Sequence, residues 1–175
     1  MTAITAALAG GGRSFSFEFF PPKNDADVDG LLETAEALSE FDPTFVSVTY
    51  GAAGTTRDRS LETVLRIRRS LSLNVMAHLT CEGSARVDLV DYAQRLQDAG
   101  VRNVLALRGD RLHETAPTYV PDAGLTHASD LIELLAPGSA SASAPRAIRK
   151  CIPRLATRRA TCAISPPKSM PAQNS

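Results

Sequence analysis

The stretch NVLALRGD, residues 103–110, is an apolar β-type run that ends on a cation, a glycine and a carboxylate. It is the fourth run of its kind. FSFEF at 15–19, FVSVT at 45–49 and NVMAH at 74–78 precede it, and the spacing of about 30 residues is that of one strand–helix–strand step. The segments between have helical periodicity. The first places Val28, Leu31, Leu32, Ala35 and Leu38 on one face; the second, read as starting at Ser60, buries Leu61, Val64, Leu65 and Ile67 or Leu71. The third buries Leu89, Val90, Ala93 and Leu96 before Gly100 ends it, and a fourth starts near His127 and runs through DLIELL.

Strands alternating with helices imply parallel strands joined by right-handed crossovers, so the class is α/β. A doubly wound sheet and a closed (β/α)8 barrel both satisfy this pattern. A barrel gathers polar groups at the carboxyl ends of its strands. Each run here ends in such a group: Glu18 in the first, Thr49 and Tyr50 after the second, His78 and Thr80 after the third, Arg108 and Asp110 after the fourth. No G-x-G-x-x-G follows the first run, which weighs against a dinucleotide fold. A complete barrel needs about 250 residues. The four units seen here therefore read as half of one.

The chain has 175 residues, is 43% apolar and 22% charged, and contains no apolar run long enough to span a bilayer. Its opening lacks the early basic segment of a signal peptide, so the expected location is the cytoplasm. Cys81, Cys151 and Cys162 are odd in number and lack C-x-x-C spacing, so neither a disulfide framework nor a zinc site follows. The zero net charge conceals an asymmetry. Residues 1–135 hold 12 basic and 19 acidic residues, whereas residues 136–175 hold seven basic and no acidic ones.

Glu18 lies between Phe17 and Phe19. Burial among aromatic rings disfavours the charged carboxyl and suits it to act as a general acid. The alternative is a carboxylate at a strand end, solvated or held by an arginine such as Arg108. His78, at the end of the third run, is either a ligand-facing donor or a structural ring. Around Gly109, Arg108 and Asp110 either face a ligand or close a loop. The polar run TYGAAGTTRDRS, 49–60, reads as a functional loop or as a plain connector.

Taken in order, FSFEFFPPK, FVSVTYGAAGTTRDRS, AHLTC, VRNVLALRGD and HASDLIELL resemble the methylenetetrahydrofolate reductases across residues 13–135. The resemblance implies a (β/α)8 TIM barrel holding FAD, which takes a hydride from NADH or NADPH and reduces the folate substrate. It implies that Glu18 protonates the bridging nitrogen of the folate and opens its five-membered ring. Thr49, Tyr50, His78, Leu79, Thr80, Arg108, Gly109 and Asp110 match the flavin contacts, with Asp110 also near the pterin. His127 and Ala128 stand where the family often has Tyr-Ala. A homo-oligomer is implied for the full-length family member, with no membrane partner.

The expected organisation is a flexible N-terminus over 1–12, a half-barrel over 13–135 and a basic, low-complexity tail over 136–175. The tail's Ser, Ala, Pro and Arg content without apolar periodicity predicts disorder. One candidate role for the basic tail is nucleic-acid binding, but no aromatic residue is interleaved with its arginines to stack on bases, and no nucleic-acid partner is expected. A different reading frame offers an account of the tail. Back-translated with freely chosen codons and shifted, TCAISPPKSMPAQNS yields LRYLAAKVDAGAEF, an amphipathic peptide, and SAPRAIRKCIP permits GAAGYPEMHP, which is similar to a later family block. The expectation is a frameshift near codon 136, leaving a truncated reductase, with an inactive fragment or a basic-tailed binding module as the alternative.

Overall fold

The computed structural model describes residues 3–24, 26–50, 57–110 and 125–136. Four strands form one parallel sheet in the order β1-β2-β3-β4: β1 Ser16–Phe19, β2 Phe45–Val48, β3 Val75–Thr80 and β4 Asn103–Leu107. Helices α2 Asp27–Ser39, α3 Arg57–Ser70 and α4 Arg86–Asp98 connect them, and α5 Ala128–Leu135 follows β4. Strand order equal to chain order separates the two architectures left open above. A doubly wound sheet reverses direction at a switch point, whereas a barrel adds each strand beside the last. The observed order is that of a barrel.

The register shows how the two faces divide. Phe17 pairs with Val46, Phe19 with Val48, Val46 with Val75, Val48 with Ala77, and Ala77 with Val104. Side chains alternate along a strand, so these residues share one face. That face carries most of the strands' share of the buried core, joined by Leu61, Val64 and Ile67 of α3, Leu89, Ala93 and Leu96 of α4, and Leu131 and Leu134 of α5. Burial of each large aliphatic side chain contributes about 1.5–3 kcal/mol relative to exposure. The opposite, concave face carries Glu18, Ser47, Met76, His78, Thr80, Asn103 and Leu105.

The N-terminus departs from the expectation of a flexible lead. Residues Ile4–Ala9 form helix α1, Ile4 is buried, and its N–H donates to Asn103 Oδ1 at 3.1 Å. Asn103 in turn donates through Nδ2 to Asn74 Oδ1 at 3.0 Å. Helix α1 thus meets the sheet at the amino end of β4. The contact joins residues 99 apart, and no local pattern announces it.

Smaller shifts concern element ends. Helix α3 begins at Arg57, ahead of Ser60, and β3 continues to Thr80, so His78 lies within a strand rather than at its end. Helix α4 stops as expected, with Gly100 at φ 76° and its N–H on Gln97 O at 2.9 Å. From residue 137 onward the expected tail lies outside the described residues.

Candidate functional site

Glu18 and Ser47 are register partners, Ser47 pairs with Met76, and His78 stands two residues beyond Met76 on the same face. Glu18 Oε2 lies 3.9 Å from His78 Nε2. The Glu18 side chain is 52% exposed and that of His78 only 10%. The expected burial of Glu18 among aromatic rings is therefore corrected. Phe17 and Phe19 are adjacent in sequence, but alternation turns them to the helix-facing side and leaves Glu18 on the open concave face. Burial holds the His78 ring below its ordinary titration range, with Glu18 partly opposing the shift, so the ring is neutral at neutral pH.

The loops at the carboxyl ends of β3 and β4 are zipped together. Cys81 N–H donates to Leu107 O at 3.1 Å, and Glu82 N–H to Arg108 O at 2.8 Å. Gly109 follows with φ 91°, and a Cβ there would stand 3.1 Å from both Thr80 Cβ and Glu82 Cβ. Glycine is thus required by conformation and by space. Arg108 is exposed and its Nε donates to Gly109 O at 3.2 Å; Asp110 is exposed beside it. Arg108 does not appear among the ion pairs of Glu18, whose partner among the described residues is His78.

Thr49 is tied in place through its backbone. Its N–H donates to Phe19 O at 2.9 Å, and its carbonyl accepts from Ser60 Oγ at 3.0 Å. Ser60 and Ser47, both buried, are the residues that sequence reasoning passed over. For Ser47 a signal existed: it is polar in an apolar run and shares Glu18's face in any in-phase pairing.

Two expected site residues turn away from the concave face. The Leu79 side chain is fully buried in the helix-facing core. Tyr50 meets Tyr92 of α4 edge to face, with ring centroids 5.6 Å apart, and Arg57 lies 6.0 Å from the Tyr92 ring centre while pairing with Asp88 at 3.2 Å. Burial pushes the hydroxyls of both tyrosines above their ordinary range. At these two positions the backbone remains to serve the site.

His127 caps α5 and is exposed, with Ala128 the first helical residue. Asp130 Oδ2 accepts the N–H groups of Thr126 and His127, each at 3.0 Å. These bonds hold the Asp130 carboxyl below the usual carboxylate range. Burial, helped by the Asp130 and Glu82 carboxylates, pushes the Cys81 thiol up, and helix α5 packs against β4. A depression lined by Arg13, Phe15, Asp42 and Asn74 lies at the other end of the strands, away from these groups.

Strand order, a one-sided helix layer and polar groups gathered towards the carboxyl ends define a (β/α) barrel of the enzyme type, here represented by four strands. The sequence profile of the family described as methylenetetrahydrofolate reductase matches residues 3–143. The chain belongs to that family, whose fold is the TIM barrel. The match starts ahead of residue 13 and runs past Leu135, the limits read from the sequence.

Similar proteins include methylenetetrahydrofolate reductase (NADH) 1 of Arabidopsis thaliana, 38% identical over 130 residues, which are 74% of this chain and 22% of that protein. The 5,10-methylenetetrahydrofolate reductase of Pectobacterium carotovorum subsp. carotovorum is 39% identical over 120 residues, 69% of this chain and 38% of the relative. The Escherichia coli (strain K12) protein of the same description is 37% identical over 122 residues, with the same coverage. The chain thus spans 22–38% of the length of these relatives. Among the described residues no helix is long and apolar enough to cross a membrane.

Proposed function

We propose that this chain supplies the acid-bearing part of a site that reduces 5,10-methylenetetrahydrofolate to 5-methyltetrahydrofolate, using NADH or NADPH through a bound FAD, in the cytoplasm. The observation that carries the reading is the meeting of Glu18 and His78 on the concave face, beside the loops of Thr80 and Gly109. These groups fit a flat polar ring: a hydroxyl, a neutral imidazole and a stretch of backbone with no side chain on it. When bound, FAD would supply hydride transfer between nicotinamide and folate.

The chain's own residues have distinct tasks in this reading. Glu18 delivers a proton to the bridging nitrogen of the folate, which weakens the adjoining C–N bond of the five-membered ring. Asp110 orients the pterin by accepting its N–H groups. Thr49, His78, Thr80, Arg108 and Gly109 hold the flavin by side chain or backbone, and Tyr50 and Leu79 by backbone alone. His127 and Ala128 offer it the start of α5. For the full-length family member the reading includes a homo-oligomer.

The short span relative to the relatives favours a second reading, a fragment of the same ancestry with no catalytic function. Purified chain supplemented with FAD separates the two. The first reading expects a yellow protein with flavin absorption that oxidises NADH or NADPH when methylenetetrahydrofolate is supplied. Glu18→Gln then lowers folate reduction by about 10²–10⁴-fold while leaving nicotinamide-driven flavin reduction intact. A colourless product with no folate reduction selects the second reading, and an E18Q variant of full activity removes Glu18 from the acid role.

A further inference from the structure

Glu18 and His78 belong to strands that are not neighbours, since β2 lies between them. Adjacent strands are roughly 4.8 Å apart, so side chains two strands apart start about 10 Å from each other. Glu18 Oε2 and His78 Nε2 approach to 3.9 Å across β2, where Ser47, the register partner of Glu18, presents a small side chain on the same face, with Thr49 two residues further along it.

We propose that Glu18 and His78 act as one unit, with His78 the positioning residue of the acid and Ser47 the spacer that lets the pair form. The inference rests on the folate reading for its chemistry but not for its geometry. A neutral imidazole offers one N–H and one lone pair. With its N–H on Nε2, His78 donates to Glu18 Oε2 once their 3.9 Å separation shortens, which leaves Oε1 to carry the transferable proton. In the transfer the Oε1–H bond breaks and an N–H bond forms at the folate bridging nitrogen. The electron pair stays on the carboxylate, which keeps the His78 donor. Burial keeps the His78 ring uncharged, so the bond runs from its N–H to the carboxyl. The other concave-face positions near the pair, Ser47, Thr80, Asn103 and Leu105, carry no charge.

The 175-residue chain has three histidines, so its imidazole NMR titrations are few and are assigned with a His78→Gln variant. Glu18→Gln removes the neighbouring anion and is expected to shift the His78 midpoint downward, while an unchanged amide NMR fingerprint reports an intact fold. Ser47→Val is expected to shift His78 the same way although Glu18 remains, and Ser47→Ala to leave it at the wild-type value. An unmoved His78 midpoint in E18Q overturns the unit, and a wild-type midpoint in S47V overturns the spacer. If S47V fails to fold, E18Q still decides the pair.

None of these readouts needs flavin or folate, so loss of the coupling and failure of the folate reading are separate results. In the reaction itself, His78→Gln is expected to lower kcat roughly 10- to 100-fold with little change in KM. Loss of bound flavin with kcat per flavin unchanged would leave His78 its flavin contact alone and overturn its positioning role.

Discussion

Gly109 shows how much one residue can fix. Its φ of 91° and the 3.1 Å approach of a notional Cβ to Thr80 and Glu82 leave alanine both strained and crowded. Gly109→Ala is expected to destabilise the chain by about 1–3 kcal/mol, read as a lower urea midpoint; an unchanged midpoint would show that the β3 and β4 loops yield. Much of the candidate site was legible at this scale. Glu18, His78 and Gly109 stood out because polar or conformationally special residues closed apolar runs. The environment of Glu18 is not legible from its sequence neighbours, because adjacent residues of a strand face opposite sides of the sheet. Alternation assigns Phe17 and Phe19 to the other face, and the same parity sends Tyr50 and Leu79 into the helix layer. His78 could be located from sequence, but its proximity to Glu18 depends on the register of three strands.

The strands were the most legible elements, because β-type runs at a constant interval are a strong signal; β4 is bounded at Asn103–Leu107 as read. Helix α1 was not legible, since its short apolar segment gains its anchor from Asn103, far along the chain. Helix α5 was legible and carries a test of its own. Asp130 ties the N–H groups of Thr126 and His127, and its carboxyl is held below the usual range by those bonds. A group depressed on folding stabilises above its unfolded pKa, and that stabilisation is lost as pH falls through its folded value. Amide exchange at Thr126 and His127 should therefore speed up on acidification below the ordinary aspartate range, beyond the intrinsic pH effect. Asp130→Asn should remove that extra dependence and leave both amides less protected at neutral pH. Equal protection in the variant would mean that the α5 start is held by packing of Leu131 and Leu134 instead.

For the whole molecule, barrel geometry carries a cost that no single residue reveals. A closed barrel has no strand edges, whereas β1 and β4 each have one strand neighbour among the described residues. The concave face also presents Phe45, Met76, Leu105 and Leu107, all only partly buried. Side chains at such positions fill the interior of a complete barrel. Unpaired edges beside partly exposed apolar surface favour association at micromolar and higher concentration. Sedimentation velocity over a dilution series should accordingly show species larger than an 18.6 kDa monomer whose share grows with concentration. Ser16 is exposed on the β1 edge, so Ser16→Lys should lower that share by placing charge where another strand would pair. A chain that stays monomeric throughout would mean that these edges are covered. An unchanged share in S16K, with the wild-type chain associating, would move the contact from the β1 edge to another surface, with the apolar concave face the next to test.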